Sequence, residues 1–162
     1  MRNRCEEQFS IGHRLIIDTP INLKHKDKFE DLLAALKVVY SIHEYNQMTF
    51  GILEHILMEG KKKTGRKGMD LWSIFVLSQV RLCLGVNYEW LYNLANNHLA
   101  IRWLMGVETE VGFDRIEFSY QSIYENVTLI NDDKVKEINS AILKMDQKVF
   151  KQKRNGSLAL KG

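Results

Sequence analysis

Paired acids, histidine–glutamate steps and a lysine–glycine run are where this sequence could hold reactive chemistry. Asp132-Asp133 and Glu6-Glu7 are adjacent carboxylates. General acid–base work needs two such groups held at a fixed separation in a shaped pocket. The first pair instead opens a helical stretch, where acids complement the backbone dipole, and the second lies in a stretch with no periodicity. His43-Glu44 starts like a zinc-protease helix, but Gln47 stands where the second histidine belongs and His55 is out of step. His98, beside Asn96 and Asn97, reads as a capping or surface residue. Cys5 and Cys83 are far apart and fit neither a disulfide framework nor a metal spacing, so a reducing cytosol suits the chain. Asn126-Val127-Thr128 matches a glycosylation sequon, which carries no meaning there. These residue types lead to no catalytic residue, no metal and no cofactor.

The cationic run differs. Lys61, Lys62, Lys63, Arg66 and Lys67 follow Gly60 with no acid among them. GKKKTGRK superficially matches a P-loop, yet Arg66 and Lys67 occupy its lysine and hydroxyl positions and no strand precedes it, which excludes nucleotide binding. Two readings remain: a solvated surface loop, or contact with a phosphate backbone, where each neutralised phosphate releases counterions. Gly65 and Gly68 would let the chain lie close along such a backbone. The net charge is only +3, but it is unevenly spread. Residues 108–117 carry Glu108, Glu110, Asp114 and Glu117 against Arg115, while Lys151, Lys153 and Arg154 form a second basic cluster. This asymmetry fits one face meeting nucleic acid.

The elements that position these residues are helical. A chain of 162 residues, 45% hydrophobic and 27% charged, holds one domain with a real core, or one domain plus a fragment of another. Residues 1–24 read as an extended arm ending in a turn near Pro20, residues 25–150 as a helical domain, and residues 151–162 as a basic tail. Asp27 with Glu30 forms a capping box before a stripe of Phe29, Leu32, Leu33, Leu36, Val39 and Tyr40. Ser41 with Glu44 repeats that box ahead of a second stripe, which Gly60 stops. Asp70 caps a third helix running to Leu84 and ended by Gly85. It is apolar all round, so it belongs at the centre of the core, with Cys83 as a small buried side chain. Asn87 caps a fourth helix faced by Tyr88, Leu91, Leu94 and Ala95, and a short one from about His98 to Met105 stops at Gly106. After an irregular 106–118, Ser119 caps a helix through about Leu129. Asn131 caps the last, with Val135, Ile138, Ile142, Met145 and Val149 in step. The final SLALK is expected to begin a strand. The expected fold is all-α: a multi-helix bundle with helix-turn-helix-like elements. Leu71–Leu84 is too short to span a bilayer and contains Arg81, and MRNRCEEQF has charges where a signal peptide is apolar, so no membrane role is expected.

A helix-turn-helix puts polar side chains of its second helix against base edges. Two places fit. The pair 88–97 and 98–105 brings His98 and Arg102. The helix from Ser119 brings Gln121, Ser122, Tyr124 and Asn126, and amides of this kind can bind adenine through two bonds. Glu125 and the acidic stretch before it oppose phosphates.

The run TGRKGMDLWSIFVLSQVRLCLGVNYEWLYNLANNHLAIRWLMGV closely resembles the N-terminal region of bacterial insertion-sequence transposases of the ISNCY group. The likeness is carried by Gly65, Arg66, Gly68, Met69, Asp70, Leu71 and Trp72. It continues through Tyr88, Leu91, Leu94, Ala95, Asn96 and His98, then Gly106-Val107, and later Gln121, Asn126 and Val127. It spans about residues 5 to 160. The resemblance implies a helical part that binds double-stranded DNA at terminal inverted repeats, in the bacterial cytoplasm at the nucleoid. It also implies a separate DDE domain in which three carboxylates hold two divalent ions, usually magnesium. The first of those carboxylates is expected in the strand that SLALKG begins, beyond this sequence, so this chain is expected to lack the catalytic half and to be no enzyme by itself. Lys61, Lys62, Lys63, Arg66, Lys67, Lys151, Lys153 and Arg154 are then the backbone contacts. The alternatives are a helical module that dimerises or regulates a full-length transposase, and an inert remnant of a decayed element.

Overall fold

Helix α3, Leu71–Leu84, is the axle of the structure, a computed structural model that describes residues 2–5, 15–21, 27–58, 68–108 and 115–159, with side chains through residue 148. Every residue from Leu71 to Val80 is buried. The helix touches α1 (Lys28–Ser41), α2 (His43–Met58), α4 (Tyr88–Asn97), α6 (Tyr120–Val127) and α7 (Asp132–Ala159). A helix apolar around its circumference is stable only with such neighbours on every side. Among the described residues the short α5, Leu99–Leu104, completes seven α-helices, and no strand is present. The fold is an all-α bundle.

Caps explain most boundaries. Asp27, Asp70, Asn87, Ser119 and Asn131 each accept a backbone N–H in the first turn of the following helix. Gly85 ends α3 with φ 62°, the left-handed conformation that glycine reaches without steric cost. Gly106, at φ 72°, follows α5 in the same way. His98 does double duty: it ends α4 through its N–H to Leu94 O, and its side chain accepts from Ile101 N to start α5.

Trp72 anchors the interior. Its ring lies against Tyr40, Phe50 and Phe75, at centroid distances of 4.9, 6.2 and 5.7 Å. Its indole N–H donates to Leu104 O at 2.7 Å, so this large side chain is buried with its polar atom satisfied. Ile16, in a single 3-10 turn of the N-terminal arm, is also fully buried, and Lys37 fastens that turn by donating to Thr19 O.

Three expectations are corrected. Ser41 caps nothing: it is the last residue of α1, its hydroxyl donates back to Lys37 O, and Ile42 alone links α1 to α2. Cys83 is exposed, because the last turn of α3 emerges from the bundle. The tail begins no strand within the described residues, since α7 continues through Ala159. Leu160 onward, and the basic run with its Gly60 stop, lie outside the described residues.

Candidate nucleic-acid interface

The N-terminus of α3 is the first place to look for a bound anion, since first-turn N–H groups there normally lack partners. Here they are taken. Leu71 N donates to Asn3 O at 3.0 Å and Trp72 N to Arg4 O at 2.9 Å. Ser73 N donates to the carboxylate of Asp70 at 2.7 Å. The returning N-terminal arm and an acid thus close this helix end.

The same arm creates a junction. Arg2 Nη1 donates to Met69 O at 2.9 Å and to Asn126 Oδ1 at 2.5 Å. Gly68-Met69, which follow Lys67 in the chain, are therefore tied to α6. Arg4 fixes the arm on its other side, with both ends of its fork on the Glu54 carboxylate at 2.6 and 3.1 Å and Nη1 on Gln47 at 2.9 Å. Its guanidinium also stands over Phe50, 5.6 Å from the ring centroid.

Helix α6 is seated by Ile123 and Val127, both buried, and by a tyrosine seam with α4. Tyr88 meets Tyr124 edge-on at 5.0 Å, Tyr92 meets Tyr120 at 6.2 Å, and Tyr120 stacks on Tyr124 at 6.3 Å. Arg81 caps the seam 4.8 Å above Tyr88 while pairing with Asp132 at 2.8 Å. This engages Asp132 in an ion pair at the start of α7. Among the described residues no three histidine, cysteine, aspartate or glutamate side chains converge as metal ligands.

The expected base readers separate. Gln121 and Tyr124 are exposed, with Gln121 donating to Glu125 one turn on, and Ser122 is half-buried. Asn126 is 8% exposed and engaged at both ends, accepting from Arg2 and donating to Ser122 O at 2.7 Å. Arg102 is 1% exposed. It pairs with Glu108 and donates to the carbonyls of Ala95, Val107 and Ile116. With every branch of its fork turned inward, it holds both stems of the 106–118 segment and cannot face a base. Asn96 supports the same stem by bonding both backbone groups of Phe118, at 2.8 and 2.9 Å. His98 is half-buried, edge-on to Phe29 at 5.2 Å, and burial pushes its pKa down. It too is a structural cap. The side chains of Lys151, Lys153 and Arg154 lie outside the described residues, although their backbone is helical.

No protein-family profile, curated protein or solved structure matches the chain. Arg2 is the residue that sequence reasoning passed over. Its only local signal is a pair of arginines flanking Asn3, and nothing local reveals a partner 124 positions away.

Proposed function

We propose that this chain is the DNA-binding, non-catalytic part of an insertion-sequence transposase, engaging double-stranded terminal inverted repeats. The resemblance over Gly65–Trp72 and Tyr88–His98 supports the family. The observation that carries the reading is the Arg2 junction, which brings Gly68-Met69 beside Asn126 on α6. The lysine-rich run preceding Gly68 then supplies charge to backbone phosphates, and Gln121, Ser122 and Tyr124 face base edges. Phosphate contacts set register and affinity, whereas base-edge contacts set sequence preference.

The test is binding to an inverted-repeat duplex between low and moderate salt. Affinity should fall steeply with salt. Replacing Lys61, Lys62 and Lys63 together with alanine should weaken binding to all sequences alike, and Gln121→Ala should relax preference by about 1–3 kcal/mol at one base pair. Binding that is absent at low salt, or flat with salt, refutes the reading.

One observation favours a second reading, a module that pairs with another copy of itself. An apolar groove of about 230 Å³ runs between α1 and α7, walled by Leu32, Leu36, Val39, Phe75, Ile142 and Leu143. Leu143 is 62% exposed at its rim. Sedimentation with and without DNA separates the two: a dimer that forms without DNA and shows no DNA affinity favours the second.

A further inference from the structure

Arg2 lies outside both cationic stretches of the sequence, yet the fold sets it at the seam between Gly68 and α6. Its guanidinium lies across the Gly68 backbone. A methyl group built on Gly68 would sit 2.5 Å from Nη1, 2.9 Å from Cζ and 3.3 Å from Nη2. A side chain at residue 68 would push the guanidinium off this position. Nη1 supplies the bonds to Met69 O and Asn126 Oδ1. The fork has five N–H donors, and those on Nη2 and Nε lie outside these two bonds. The side chain is only partly buried.

We propose that Arg2 is itself a phosphate contact of this interface, a cation held in place by Met69 and Asn126 that turns the rest of its fork to one DNA phosphate. The proposal rests on the DNA-binding reading and adds to it a residue from the N-terminal arm. Guanidinium matches phosphate in charge and in planar, two-pronged geometry. A lysine on a surface run must give up rotamer freedom when it binds, whereas Arg2 is already ordered by its two bonds. Asn126 accordingly changes role: its carboxamide, bonded at both ends, supports the cation instead of reading a base.

The experiment measures the affinity of the full chain for a DNA duplex of arbitrary sequence as salt is raised, because each neutralised phosphate adds about 0.9 to the slope of log K against log salt. Arg2→Gln removes the charge, and its shorter carboxamide falls short of the Nη1 position that bonds Met69 O and Asn126 Oδ1. It should lower the slope by about 0.9, while the thermal midpoint reports the lost bonds separately. Arg2→Ala should lower the slope equally and also lower the midpoint, and Arg2→Lys should keep the wild-type slope. A purely structural Arg2 would change affinity without changing the slope. A wild-type slope in Arg2→Gln therefore overturns the proposal and leaves the DNA-binding reading standing, while a wild-type chain with no salt-dependent binding overturns both.

Discussion

Replacing Arg102 with alanine removes a cation that is 1% exposed and holds one carboxylate and three carbonyls. Glu108 would then stay mostly buried, at 14% side-chain exposure, without its partner. Breaking one side of a buried ion pair costs about 3–5 kcal/mol. Each orphaned carbonyl that water cannot reach adds to this, so about 4 kcal/mol is a working value. That is a large share of the roughly 5–15 kcal/mol that holds a domain folded. For a chain of this size it corresponds to a fall in Tm of about 8–16 °C. Urea titrations followed by far-ultraviolet circular dichroism, on the wild type, Arg102→Ala, Glu108→Ala and the double variant, would measure it. The double variant should be more stable than the sum of the single losses implies, because it leaves no unpaired buried charge, with a coupling of about 1–3 kcal/mol. A loss below about 1 kcal/mol in Arg102→Ala, the level of an ordinary surface contact, would refute the reasoning. Strict additivity in the cycle would do the same.

Two other perturbations follow from the caps. Burial holds His98 below its ordinary pKa of 6.5, while Glu30 and a backbone hydrogen bond pull the other way. As pH falls, the unfolded chain takes up this proton first, so the contribution is complete above about pH 6.5 and is lost on descent through the lower folded pKa. Asparagine keeps the capping function, so thermal midpoints of His98→Asn should vary less with pH than wild type over that range; equal variation would discount His98 as the source. Gly85→Ala should cost about 1–2 kcal/mol from the left-handed backbone alone, since an added Cβ there meets nothing within 4 Å. An unchanged urea midpoint would show that the turn relaxes freely.

What was legible in the sequence was local. Asp27, Asp70, Asn87, Ser119 and Asn131 announce helix starts because a short polar side chain satisfies N–H groups only a few residues ahead. Gly85 marks an end for an equally local reason. The nearly complete apolar circumference of α3 placed it at the centre without knowledge of its neighbours. Ser41 misled because the next helix begins after a single residue, so its hydroxyl serves the end of α1. Cys83 misled because apolarity does not show where a helix leaves its neighbours. Arg102 is the sharper failure. An arginine on a six-residue helix looks like a surface group until Glu108 and Ile116 fold over it. Arg2 was invisible for the same reason: its partners are distant in sequence, and composition holds no record of them.

The closure of α3 by Asn3 and Arg4 has a kinetic side. The apolar segment from Leu71 can coil locally in about a microsecond, but its first two donors wait for a segment nearly 70 positions away, as the Arg2–Met69 separation of 67 shows. Returning that segment across so long a loop costs chain entropy, and non-local closures of this kind slow folding. The arm would then close late, as a latch on a helix that forms early. Trimming residues 1–5 would leave the helix written in the sequence but expose the N–H groups of Leu71 and Trp72 to solvent, with Asp70 still holding Ser73 N. A purification tag fused ahead of Arg2 is therefore not a neutral addition: it loads the latch.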